Sequence, residues 1–194
     1  MAITKNRQSK ETIQRMANAA FPDKRIASIK ELTEGMCNVT YDIAFEDGSA
    51  SILKIAAKDR RGNTSNEVNL MQTEVNAMKL VAANCPFKIA AIQYYDTSNT
   101  LCDGHYFFME KLAGDNLIFV KTDLTEETIA AIHTEIGQIA KELATVQNSE
   151  FGFLGEEKRF DSLFPFIRHM LQNLISDAQK RDIDILYDKQ AWMS

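Results

Sequence analysis

Val39-Thr40-Tyr41-Asp42-Ile43-Ala44-Phe45-Glu46-Asp47-Gly48-Ser49-Ala50-Ser51-Ile52-Leu53-Lys54-Ile55-Ala56 is the stretch on which the fold turns. Val39, Tyr41, Ile43 and Phe45 alternate with Thr40, Asp42 and Ala44, the period-two pattern of a half-buried strand. Asp47-Gly48 is a strong hairpin signal, because glycine adopts the positive φ that tight connections require. Ala50 to Ala56 reads as the returning strand, with Lys54 set in an otherwise apolar run. A lysine there is costly unless it is paired or its head reaches water, so Lys54 is the first candidate for chemistry.

Upstream, Ile26 to Leu32 reads as a further strand, and Thr33 to Asn38 as a turn containing Gly35. Before it, Ser9 can cap a short amphipathic helix to Ala20, with Ile13, Met16, Ala17 and Ala20 at helical spacing. Phe21-Pro22-Asp23 stops that helix, since proline biases its predecessor away from helical geometry. Downstream, Asp59 to Ser65 is a polar loop. A helix is predicted from about Asn66 to Ala83, with Val68, Met71, Val75, Met78 and Val81 near one face. Ala90 to Tyr95 and His105 to Met109 are two more strands, separated by the turn-like Asp96-Thr97-Ser98-Asn99. Beyond Gly114-Asp115-Asn116 the pattern turns helical. Asp123-Leu124-Thr125-Glu126 fits a capping box opening a helix to about Val146, and another helix is predicted from Ser162 to about Lys180. The expected division is 1–112 and 113–194.

Composition bounds the function. The chain has 194 residues, is 45% hydrophobic and 25% charged, and carries a net charge of −5. That is ordinary globular composition, able to bury a core without disulfides. No basic block favours nucleic acid, and no apolar run approaches the ~18 residues of a membrane span. The opening MAITKNRQSK lacks an apolar h-region, and the three cysteines have no C-x-x-C spacing. Both observations lead us to expect a cytoplasmic protein without a zinc site. The three histidines are scattered, and no P-loop, G-x-G-x-x-G, G-x-S-x-G or H-E-x-x-H motif occurs.

What remains is a set of parts in order. A Gly-bearing turn at Glu34–Asn38 joins two strands, Lys54 lies in the next strand, and Glu74 in the following helix. The strand His105 to Met109 then runs into Glu110-Lys111-Leu112. Binding of ATP uses such parts. A tight turn offers backbone N–H groups to phosphate oxygens, a lysine meets the α/β-phosphates, and a helix carboxylate holds the lysine. Glu67 rivals Glu74 for that last role, because a carboxylate in a helix's first turn also suits the dipole.

Residues 30 to about 155 resemble the N-terminal lobe and first helical segment of the aminoglycoside phosphotransferase/choline kinase family. Glu34-Gly35-Met36-Cys37-Asn38-Val39-Thr40-Tyr41 is similar to its Gly-x-x-Asn-x-x-Tyr loop, and Leu53-Lys54-Ile55 to its lysine strand. Thr73-Glu74-Val75-Asn76-Ala77-Met78-Lys79-Leu80 resembles its Arg-Glu-x-x-x-Leu helix. Phe107-Phe108-Met109-Glu110-Lys111-Leu112-Ala113-Gly114 is similar to its hinge segment. Ile136-Gly137 through Leu143-Ala144 and Phe151-Gly152-Phe153-Leu154 resemble two later elements.

The resemblance implies an α+β fold. It comprises a protein-kinase-like N-lobe, an antiparallel sheet of about five strands plus one helix, followed by the helical start of a truncated C-lobe. It implies a phosphotransferase using ATP (or GTP) with Mg2+ on a hydroxyl of a small-molecule acceptor. Gly35, Asn38, Lys54, Glu74, Met109, Glu110 and Leu112 would bind nucleotide, the last two through backbone groups. Two positions depart from the family. Val146-Gln147 stands where it reads Leu-His. Its catalytic loop, His-x-Asp-x-x-x-x-Asn, and the following metal-binding aspartate do not occur. No catalytic or metal-binding residue is therefore assigned, the chain reads as a fragment inactive alone, and an exposed apolar patch is expected on residues 125–190. Two readings stand beside this one: a non-catalytic kinase-like binding or regulatory module, and an unrelated α+β domain in which Lys54 merely decorates a strand.

Overall fold

The computed structural model describes residues 5–33, 35, 38–58 and 63–185. Its strands are β1 (Ile26–Leu32), β2 (Val39–Phe45), β3 (Ala50–Ile55), β4 (Ile92–Asp96) and β5 (Tyr106–Glu110). The helices are α1 (Lys10–Ala20), α2 (Leu70–Asn84), α3 (Leu117–Val120), α4 (Glu126–Leu143) and α5 (Leu163–Lys180). The strands form one antiparallel sheet in the order β1-β2-β3-β5-β4. The α+β class and the five-stranded antiparallel sheet are as the sequence implied. The chain divides into two compact units, Met1–Asp59 with Met78–Gln147, and Arg60–Ala77 with Asn148–Ser194.

In the first unit, the hairpin forms where Asp47-Gly48 marks it. Gly48 has φ +82°, a conformation that side chains disfavour. Asp47 Oδ1 accepts from the Ser49 N–H at 2.9 Å and the Ser49 hydroxyl at 2.5 Å, and Lys24 Nζ lies 3.1 Å from Asp47 Oδ2. Alternation then divides the sheet into two faces. One face contributes Val39, Tyr41, Ile43, Phe45, Leu53, Ile55, Tyr106 and Phe108, which cluster with Ile13, Met16 and Ala17 of α1. Phe21, just past α1, meets Phe45 and Phe108 edge-on at 5.3 and 5.2 Å between ring centroids. Ser9 caps α1 by accepting from the Thr12 N–H at 3.2 Å. The second unit holds the first turns of α2, where Met71 and Val75 are buried, and all of α5.

The starts of two helices differ from those read in the sequence. The helix expected from Asn66 begins at Leu70, because residues 64–67 close a turn of their own. Glu67 N–H donates to Thr64 C=O at 3.0 Å, and Asn69 takes φ +49°. The N-cap expected at Asp123 lies two residues later, at Thr125, and forms no capping box. Thr125 accepts from the Thr128 N–H at 3.2 Å, while Asp123 ends a 3-10 turn, Lys121–Asp123. The short helix α3 was not anticipated. Exposed large apolar residues are Ile136 and Leu143 on α4, and Leu163, Phe164, Ile167 and Leu174 on α5.

Two outcomes test this description. Phe108, fully buried, should cost about 3–5 kcal/mol of stability as Phe108→Ala in urea unfolding. The Ser49 hydroxyl and N–H, with Lys24, hold the Asp47 carboxyl down from 3.8 to about 2. A depressed carboxyl stabilises the fold above its unfolded pKa and loses that contribution as pH falls through the folded value. Asp47→Asn should therefore lower the urea midpoint at about pH 6 and leave it unchanged near about pH 2.

Candidate nucleotide-binding face

Lys54 pairs in register with Thr40 of β2 and Phe107 of β5, and Phe107 pairs with Tyr95 of β4. Thr40, Lys54, Phe107 and Tyr95 thus form one row on the sheet face opposite α1. The reason is local. Leu53 and Ile55 enter the α1-side core, so the residue between them must point the other way. Lys54 Nζ lies 5.7 Å from the centroid of the buried Phe107 ring, within range of a cation–π attraction.

The neighbouring row is Lys30, Asp42, Ile52, Met109 and Ile92. Met109 therefore shares the Lys54 face. Asp42 Oδ2 accepts from Lys111 Nζ at 2.6 Å, which ties β2 to the segment after β5. The other oxygen, Oδ1, is buried and has no hydrogen-bond partner among the described residues. Ser51, also buried, places its hydroxyl 2.6 Å from Gln93 Oε1 and 3.0 Å from the Met109 C=O, joining β3, β4 and β5 near the same end. Reading along the chain missed Asp42–Lys111 and Ser51–Gln93. The partners lie far apart in sequence, and no spacing rule connects them.

The remaining candidates fall as follows. Gly35 is exposed, and a Cβ there would meet the Asn38 C=O at 3.4 Å. Asn38 sits in the bend before β2; Glu34, Met36 and Cys37, also part of the expected loop, lie outside the described residues. Glu110 ends β5. Its carboxylate meets Lys88 Nζ at 2.6 Å, which holds its pKa below the usual carboxylate range, and its N–H donates to the Ala91 C=O at 2.8 Å. Leu112 is exposed. Glu74 lies on α2 in the second unit, half-buried. Its rival Glu67 is turned onto Thr64, accepting from that residue's N–H at 2.6 Å and hydroxyl at 3.1 Å.

Among the described residues, no three His, Cys, Asp or Glu side chains gather closely enough to hold a metal. Nor, among the described residues, is any helix long and apolar enough to cross a membrane.

Lys111→Met should destabilise the protein by about 1 kcal/mol, because it strips the partner from a carboxylate that is already half unsatisfied. In the Asp42→Asn background the same change should cost less, and a double-mutant cycle in urea reads the difference.

No protein-family model matches the chain, and no curated protein sequence does. Solved structures do. Aminoglycoside phosphotransferase APH(4)-Ia matches over 94% of this chain and 55% of its own, with a TM-score of 0.58 and 12% identity. Wild-type aminoglycoside 2'-phosphotransferase-IIIa, solved with GDP, matches over 91% and 55%, with a TM-score of 0.57 and 16% identity. A thermostable variant of APH(4)-Ia, in ternary complex with ADP and hygromycin B, matches over 87% and 52%, with a TM-score of 0.57 and 13% identity. This chain spans about half the length of each. In fold, it is similar to the kinase-like aminoglycoside phosphotransferases.

Proposed function

We propose that this chain is the nucleotide-binding portion of an ATP-dependent (or GTP-dependent) phosphotransferase that acts on a hydroxyl of a small molecule. The observation that carries this reading is the place of Lys54. A fixed positive charge stands at the centre of a kinase-like sheet, on the face that α1 does not cover, beside a buried aromatic ring. Nucleotide complexes of proteins with this fold, one with GDP and one with ADP, support it.

In this reading Lys54 meets the donor phosphates. Glu74 is the carboxylate that the family resemblance pairs with the lysine. Gly35 and Asn38 belong to the turn over the phosphates, and Met109, with the backbone at Glu110 and Leu112, to the base-binding segment. Because the Glu110 N–H is engaged by Ala91, the backbone contact at that residue falls to its carbonyl. Bound magnesium would neutralise phosphate charge, and no cluster of three His, Cys, Asp or Glu side chains among the described residues stands ready to hold it. The acceptor is a hydroxyl-bearing metabolite or antibiotic. Hygromycin B in the APH(4)-Ia variant's complex is one precedent for that class. Cys85 and Cys102 are free thiols, which suits a reducing, cytoplasmic setting.

Catalysis is a separate matter from binding. The catalytic-loop motif does not occur in these 194 residues, so nucleotide binding is expected to be weak and phosphoryl transfer undetectable from this stretch alone. Lys54→Ala should abolish the binding heat in calorimetric titration with Mg-ATP or Mg-GTP. Lys58→Ala should leave it nearly unchanged, since Lys58 is an exposed residue paired with exposed Asp103 at 3.3 Å. Equal binding by wild type and Lys54→Ala would refute the assignment, and robust turnover by residues 1–194 would refute the division between binding and catalysis.

A further inference from the structure

Within the second unit, the loop 151–160 is closed on itself by its own hydrogen bonds. Phe151 and Phe160 exchange backbone hydrogen bonds at 2.8 and 2.9 Å. Arg159 Nη1 lies within 3.1 Å of the Phe153, Glu156 and Lys158 carbonyls, stapling the loop from inside. Phe153 and Phe160 both pack on Phe166 of α5, with ring centroids 5.3 and 5.8 Å away.

The tip of this loop meets the first turns of α2. Asn76 Nδ2 donates to the Leu154 C=O at 2.7 Å, and Asn69 Nδ2 donates to the Gly155 C=O at 3.1 Å. Gly155 itself sits directly on the hydrogen bond that opens the helix, Thr73 N–H to Asn69 C=O at 2.9 Å. A Cβ at position 155 would lie 2.7 Å from the Asn69 oxygen and 2.9 Å from the Thr73 nitrogen, and would also strike the Thr73 hydroxyl. Two of those three obstacles are backbone, so the clash cannot be relieved by turning a side chain.

The gripped residues, Asn69, Thr73 and Asn76, recur at i, i+4 and i+7 and form one stripe along the helix. Glu74 follows Thr73 directly, about 100° around the axis. A second set of contacts holds the approach to the helix. Asp177, buried on α5, accepts from the Ser65 N–H and, at 2.6 Å, from the Ser65 hydroxyl. Asn66 Nδ2 donates to the Met170 C=O at 3.0 Å, and Asn173 Nδ2 to Asn66 Oδ1 at 2.8 Å.

We propose that the 153–156 segment, through Gly155, fixes the rotation of α2 about its axis and thereby sets where the Glu74 carboxylate stands, making Gly155 a positioning residue. The inference rests on the assignment of Glu74 above. A helix anchored along one stripe can roll about its axis when the anchor is displaced, and a roll of a few tens of degrees moves a glutamate head by ångströms. Gly155→Ala forces that displacement without removing any functional group. Asn76→Ala loosens the same grip without adding bulk.

Amide hydrogen exchange and titration with Mg-ATP test this together, in wild type, Gly155→Ala, Asn76→Ala, Glu74→Gln and the Gly155→Ala/Glu74→Gln double variant. Both grip variants should speed exchange at residues 73–77 while the amides of α5 and the sheet keep their protection. Gly155→Ala should weaken Mg-ATP about tenfold in the wild-type background and have almost no further effect once Glu74 is glutamine. Asn76→Ala should weaken it about threefold. Unchanged exchange at 73–77 in Gly155→Ala would overturn the proposal whether or not nucleotide binds. So would an equal loss of affinity with and without Glu74. Absence of Mg-ATP binding by folded wild-type protein would instead overturn the functional reading, with the exchange data still deciding whether the loop grips the helix.

Discussion

The strict alternation of a β-strand governs this structure more than any other constraint. β3 is a central strand, paired with β2 on one side and β5 on the other, so both of its hydrogen-bonding edges are committed. Leu53 and Ile55 belong to the α1-side core and are fully buried there. Lys54 must then project to the opposite face, and a shift of one residue in register would drive an ammonium group into the core while exposing two large aliphatic side chains. The apolar cluster that stabilises the sheet and the charge proposed to bind phosphate are consequences of the same register.

The two compact units are held together by different means. The first has a contiguous apolar core built from α1, Phe21 and three strands, in which twelve residues are buried. In the second, side-chain amides, a buried aspartate and an arginine bond to loop carbonyls and amides, and a trio of phenylalanines supplies the main aromatic packing. Polar contacts of this kind give direction rather than large net stability, since each replaces a bond to water. Directional contacts of this kind are what the proposed grip on α2 requires.

Much of the sheet was legible because its signals are local. β2 announced itself by alternation, the hairpin by Asp47-Gly48, and α1 by Ser9 and a helical stripe. The α2 boundary was misread because apolar spacing cannot register that Glu67 bonds back to Thr64, or that Asn69 adopts a positive φ. The α4 cap was misplaced because Asp123 and Thr125 are both competent caps, and only the 3-10 turn before the helix selects Thr125. α3 is four residues long and has no period to detect. In the candidate site, Lys54 stood out as a charge in an apolar strand, and Met109 came with the hinge resemblance. Asp42, Lys111 and Gly155 did not stand out. Their significance lies in partners dozens of residues away, and a glycine's need for closeness is invisible until the opposing backbone is in place.

The central claim is that the sheet face opposite α1, with Lys54 at its middle, receives the phosphates of a nucleotide. A crystal structure of this chain grown with ADP addresses it most directly. The account predicts phosphate oxygens within hydrogen-bond distance of Lys54 Nζ, about 3 Å, with the base directed toward Met109. Nucleotide bound elsewhere with Lys54 untouched, or a phosphate-free Lys54 face at saturating ADP, would contradict it.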